Sequence, residues 1–147
     1  MPEVPSPPYL RIRYEGRRRT LLGEWQRSVM PFELHQGYAQ LLTTATEYQC
    51  CYWLIDITRR LSPLGAADVS WLTEEYFPQL QPCLGNPVYL AYVMAPYQLA
   101  GMLAMPYTPQ QPESPGLPYY FQRFTDEESA RHWLKKCARK ARASQMR

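Results

Sequence analysis

Short apolar runs alternate with amphipathic stretches along this chain, and the alternation lays out its elements. Tyr9 to Tyr14 (YLRIRY) sets apolar and basic residues at alternate positions, the period of a half-exposed strand. Glu15-Gly16 and the run Arg17 to Arg19 form a turn, and Thr20 to Trp25 makes a second strand. The two are expected to pair as an antiparallel hairpin in which Gly16 supplies the positive φ of a short loop. Pro31 opens a helix at a first-turn position, where its missing N–H costs nothing. Leu34, Tyr38, Leu41, Leu42 and Ala45 share one face of that helix. Gly37 weakens it by about 1 kcal/mol relative to alanine. Cys51 to Ile57 (CYWLIDI) is a near-continuous apolar run, a central strand buried on both faces.

A second helix over Ala66 to Phe77 turns Val69, Leu72 and Tyr76 inward and kinks or ends at Pro78. Pro87 to Met94 (PVYLAYVM) is another buried strand, followed by a short helix around Tyr97 to Ala104. Pro106 to Pro118 has no periodicity and is expected to be a mobile loop. Tyr119 to Phe124 is the last strand. Thr125 and Glu128 make a capping box for the final helix, whose core face carries Ala130, Trp133, Leu134, Cys137 and Ala141. The order β-β-α-β-α-β-α-β-α predicts an α/β fold: a sheet made mixed by its opening hairpin, with helices packed on it.

The length of 147 residues fits one domain, expected over residues 8–143 between a disordered Pro-rich segment at 1–7 and a basic tail at 144–147. With 46% hydrophobic and 14% aromatic residues the chain can build a core, which excludes global disorder. No run reaches the roughly 18 apolar residues of a membrane span, and the first residues carry no basic and apolar leader pattern, so a cytoplasmic location is expected. Cys50, Cys51, Cys83 and Cys137 include no CxxC pair, and His132 and Cys137, five apart, do not share a helix face. Reduced, mostly buried thiols are expected, with no metal and no cofactor.

The carrying segments Gly23-Glu24-Trp25, Trp53-Leu54-Ile55-Asp56, Trp71 to Pro78 (WLTEEYFP), Tyr120-Phe121 and Ala130 to Leu134 (ARHWL) give the chain a resemblance to the STAS domain, the SpoIIAA-like fold of bacterial anti-sigma-factor antagonists. More narrowly, the chain resembles small bacterial STAS-like proteins, over about residues 8–137. The resemblance implies a non-enzymatic regulatory module that docks to a protein partner. It also implies a phosphoacceptor in the loop after the third strand. That stretch reads Asp56-Ile57-Thr58-Arg59-Arg60-Leu61-Ser62-Pro63-Leu64-Gly65, without the Asp-Ser-Ser-Gly signature, and Ser62 is its matching hydroxyl. The same general fold resembles CRAL-TRIO lipid-transfer domains, which implies that an apolar ligand can be held.

Asp56 ends a central strand, where open α/β sheets bind ligands. With Thr58, Arg59, Arg60 and Ser62 it is expected to form a small polar site for a ligand or partner, in which an Arg pair grips an anion. The bland alternative is a carboxylate that caps its own loop beside solvated arginines. No nucleophile–base pair is recognisable around His35 or His132, so no catalytic residue is assigned. The cations from Arg131 to Arg147 suit the negative end of a helix dipole, with contact to nucleic acid or an anionic surface as the sharper alternative, and a net charge of +3 is by itself too small to argue for nucleic acid. Tyr9, Tyr14, Tyr107, Tyr119 and Tyr120 fall where alternation or the loop leaves them outside the core. Two functions follow as expectations. One is a protein-interaction module, with self-association to a homodimer possible. The other is a binding domain for a small anionic or amphipathic ligand.

Overall fold

The opening hairpin forms as expected: β1 (Leu10–Glu15) and β2 (Thr20–Trp25) pair antiparallel, with Glu15 opposite Thr20. The structure, a computed structural model, describes residues 6–145. The expectations for residues 1–5 of the Pro-rich start and for the last two residues of the tail lie outside the described residues. One detail of the hairpin turn differs from expectation. Arg19, not Gly16, takes the left-handed conformation, at φ 49°. The N–H groups of Arg18 and Arg19 donate to the carbonyls of Glu15 and Gly16 at 3.2 and 3.3 Å, which winds the loop right-handed. The chain must reverse hand at the next residue to rejoin its strand, as it does after type I hairpin turns.

Strands β3 (Tyr52–Asp56), β4 (Val88–Val93) and β5 (Tyr119–Phe124) then add in chain order, all parallel to β2. The fold is thus α/β with a mixed five-stranded sheet. Each crossover steps one strand in the same direction, and crossovers of one hand then place their helices on one face. That face carries α1 (Pro31–Tyr48), α2 (Ala66–Trp71), α3 (Leu80–Leu84) and α4 (Pro96–Leu103), while α5 (Glu127–Gln145) covers the other. Among the described residues no helix is long and apolar enough to cross a membrane.

The crossover face holds the larger core. Trp25, Tyr38, Trp53 and Tyr76 are fully buried there among Leu10, Leu21, Leu34, Leu41 and Leu80. Tyr9 also belongs to it, buried and stacked on Trp25 with ring centroids 6.2 Å apart, against its expected place outside the core. Gly37 has a specific use in this packing. A Cβ there would lie 2.5 Å from Trp25 Cη2, so the missing side chain is the notch that admits the indole. The smaller core lies under α5, where Ala130 and Leu134 pack on Leu22, Leu54 and Ala91.

Three local expectations need correction. The helix predicted over Ala66 to Phe77 is α-helical only to Trp71. It then widens into a π turn (Leu72–Tyr76) and tightens into a 3-10 turn (Phe77–Gln79) before α3. Pro78 has no N–H to donate backwards, and the Phe77 N–H reaches Leu72 O instead. At the start of α5 the cap is Asp126, whose carboxylate accepts from Ser129 N at 2.7 Å, rather than a Thr125–Glu128 box. The four thiols are free, but only Cys50 is fully buried and Cys83 is exposed.

Candidate ligand-binding site

The loop leaving β3 does not assemble its polar residues into one site. Asp56 follows Leu54 onto the α5 face of the sheet, and its Oδ1 accepts from Thr58 N at 2.8 Å and from Thr58 Oγ1 at 2.6 Å. This is an Asx-type turn in which the carboxylate caps its own loop. Arg59 is exposed and donates to Gln26 Oε1 at 2.8 Å, at the end of β2. Ser62 is exposed, and its N–H is held by Ser28 Oγ at 2.9 Å.

Arg60 turns the opposite way, into the crossover-face core, where it is only 6% exposed. It is therefore neither paired with Arg59 in a polar loop site nor the solvated arginine of the bland alternative. Its N–H closes a turn on Ile57 O at 3.0 Å. Gln98, in the first turn of α4, then clamps that turn by donating to Ile57 O and Arg60 O at 2.9 and 3.1 Å. The guanidinium lies over the Trp25 ring, 5.4 Å from its centroid. Its Nη1 is buried with no hydrogen-bond partner, and no carboxylate pairs with it among the described residues.

Arg60 faces a cavity of about 80 Å³ at the carboxyl ends of β3, β4 and β5. Leu64, Leu72, Phe77, Met94, Met102 and Phe121 supply apolar walls. The polar groups are Arg60, Arg123, Thr73 and the phenols of Tyr38 and Tyr92. The two phenol oxygens are 2.9 Å apart. Burial raises both phenol pKa values, and the nearby Arg60 charge opposes the rise without reversing it. Both hydroxyls therefore stay protonated, one donating to the other and leaving a single phenol proton for a ligand. Arg123 lies over Phe121 at 5.1 Å and donates to Pro109 O at 2.6 Å, and burial lowers its pKa. The π turn contributes Leu72 and Thr73 to the wall, and such local widenings recur at functional sites.

The loop over residues 106–118, expected to be mobile, is instead tied to this region. Tyr107 Oη donates to Leu64 O at 3.0 Å, Gln111 Oε1 accepts from Arg123 N at 2.8 Å, and Pro109 lines the cavity. Of the five candidate residues in the β3 loop, only Arg60 reaches the cavity. Arg123, Tyr38 and Tyr92 were not anticipated. One signal for Arg123 was present: it shares the inward alternation of Tyr119 and Phe121, an unusual position for a cation. No family model, no curated protein and no solved structure matches this chain.

Proposed function

We propose that this protein is a small-ligand-binding module whose cavity takes a short amphipathic monoanion, a carboxylate on a small apolar body. The observation that carries the reading is the unpartnered Nη1 of buried Arg60 beside apolar walls. Buried cations are ordinarily paired, because desolvation is costly without an opposing charge. A carboxylate in the cavity would supply that charge and accept from the guanidinium and from a phenol. The volume favours a short body: the cavity has about half the ~150 Å³ of an engineered cavity that admits benzene. The cavity surface is almost wholly apolar, with the guanidinium of Arg60 set behind it, and binding rather than turnover is the chemistry it suits.

The interaction-module reading, to which the STAS resemblance also leads, is supported by a second observation. Met30, Phe32, Leu61 and Tyr97 are 59%, 68%, 66% and 62% exposed, on segments that follow the carboxyl ends of β2, β3 and β4. Leu61 adjoins Arg60, so an occupied cavity and a partner docking on that rim would be coupled through one loop.

The test is a thermal-shift series with acetate, butanoate, 3-methylbutanoate and benzoate, each against its primary amide. At a hundredfold excess over Kd a bound acid stabilises by about 2.7 kcal/mol, a rise of about 5–10 °C for a chain of this size. The amides and an Arg60→Met variant should show no rise. Equal shifts for acid and amide, or an undiminished shift in Arg60→Met, would refute the proposal.

A further inference from the structure

At the opposite end of the sheet, the fold brings together two basic segments that lie far apart in the chain. Arg131 Nη1 on α5 meets Glu15 Oε1 on β1 at 2.7 Å, across 116 residues of sequence, and this part-buried ion pair holds the helix against the hairpin. The turn carrying Arg17, Arg18 and Arg19 and the flank of α5 carrying Lys135 and Arg142 thereby line one groove of about 1490 Å³. These five cations are exposed and have no ion-pair partner among the described residues. The carboxylates lining the groove are Glu127, bonded to Arg131 at 3.1 Å, and Glu128. The groove is therefore strongly positive, although the net charge of the chain is only +3.

Aromatic rings from both faces of the sheet also line the groove. Tyr14 stacks on Tyr48 with centroids 4.2 Å apart and planes 16° from parallel. On the α5 face of the sheet Tyr52 stacks on Tyr89 at 5.4 Å and 9°, and Tyr120 covers the far side of Tyr89, which leaves the outer face of Tyr52 for a base. All four rings line the groove and are only partly buried, and Asn86 and His132 add hydrogen-bonding edges.

We infer that this groove binds single-stranded nucleic acid, with the cations on phosphates and the tyrosine rings against bases. Cationic walls that track a backbone beside aromatic platforms are the general means of holding single strands, because every base has a π face. An acidic protein segment would use the charge but not the stacked rings, and a duplex would keep its bases from them. The site is independent of the Arg60 cavity and stands or falls separately.

The test is fluorescence anisotropy of a labelled 12-nucleotide oligo(dT) with the full chain, over a salt series. Five phosphate contacts give a log–log salt slope of about −3.5. The variant Arg17→Gln, Arg18→Gln, Arg19→Gln should reduce the slope to about −1.4 and weaken binding at least tenfold at low salt. Lys135→Gln with Arg142→Gln, on the other wall, provides a second variant should the first fail to fold by circular dichroism. A Tyr14→Leu variant should lose affinity with an unchanged salt slope. The inference is overturned by absence of saturable binding at 50 mM salt, or by full affinity in the charge variants. Displacement by polyglutamate as effective as by unlabelled oligo(dT) would overturn it in favour of an acidic protein partner. Equally effective displacement by duplex DNA would remove the single-strand assignment.

Discussion

Replacing Gly37 by alanine sets two physical effects against each other. Considered only as a residue in the middle of α1, glycine lowers helix stability, and alanine should gain about 1 kcal/mol. In the structure the new Cβ would sit 2.5 Å from Trp25 Cη2, 3.0 Å from Cζ3 and 3.1 Å from Leu10 Cδ2. Trp25 has little room to retreat. It is 1% exposed, stacked on Tyr9, tilted against Tyr38 at 5.5 Å and covered by the Arg60 guanidinium. Overpacking of this kind costs about 1–3 kcal/mol, and a rigid ring in a closed site belongs at the upper end. Set against the helix gain, Gly37→Ala should lose about 2 kcal/mol, a fall in Tm of about 4–8 °C. Scanning calorimetry measures it directly, and tryptophan fluorescence should report the displaced indole. Because Trp25 supports Arg60, the variant should also weaken carboxylate binding. An unchanged or raised Tm would show that helix propensity dominates and that Trp25 does not pack against this notch.

Leu54→Ala, at a fully buried position of β3 under α5, should cost about 2–5 kcal/mol in urea unfolding, and a loss below about 0.5 would remove β3 from the centre of the sheet. Iodoacetamide at pH 8 should label exposed Cys83 first by peptide mass mapping, with Cys50 and Cys137 slow because burial pushes both thiols up to about 11. Those raised values also set a pH dependence. In the native state both thiols stay protonated while the unfolded thiols ionise near 9, so stability is unaffected below pH 9 and falls as pH rises from 9 to 11. Arg19→Gly should raise stability by up to about 1 kcal/mol, because φ 49° strains an L residue, and should weaken oligo(dT) binding at the same time. A variant that loses stability would place the positive φ elsewhere in the turn.

Much of the framework was legible in the residues because each element reports its own faces. Two-residue alternation in β1, the continuous apolar run of β3 and the helical spacing from Leu34 to Ala45 each mark which side meets the core, and the structure buries those sides. Chain order with parallel crossovers then restricts the sheet to few arrangements. Periodicity contains no information about partners far along the chain, and the cavity and the groove depend on those. Asp56 and Arg60 are close neighbours in sequence but lie on opposite sides of the sheet, since a turn closed on Ile57 O and clamped by Gln98 redirects the guanidinium. Gly37 looked like a flaw until Trp25 filled the space above it, and Arg19 took the left-handed position because the turn's hydrogen bonds wind in one direction. The arginine turn and α5 became one groove through an ion pair spanning 116 residues. The sequence by itself determined which elements form and which of their faces are apolar, because those are local properties of spacing. The tertiary structure alone decided where the charges meet, because that depends on strand order, loop path and the space left between packed side chains.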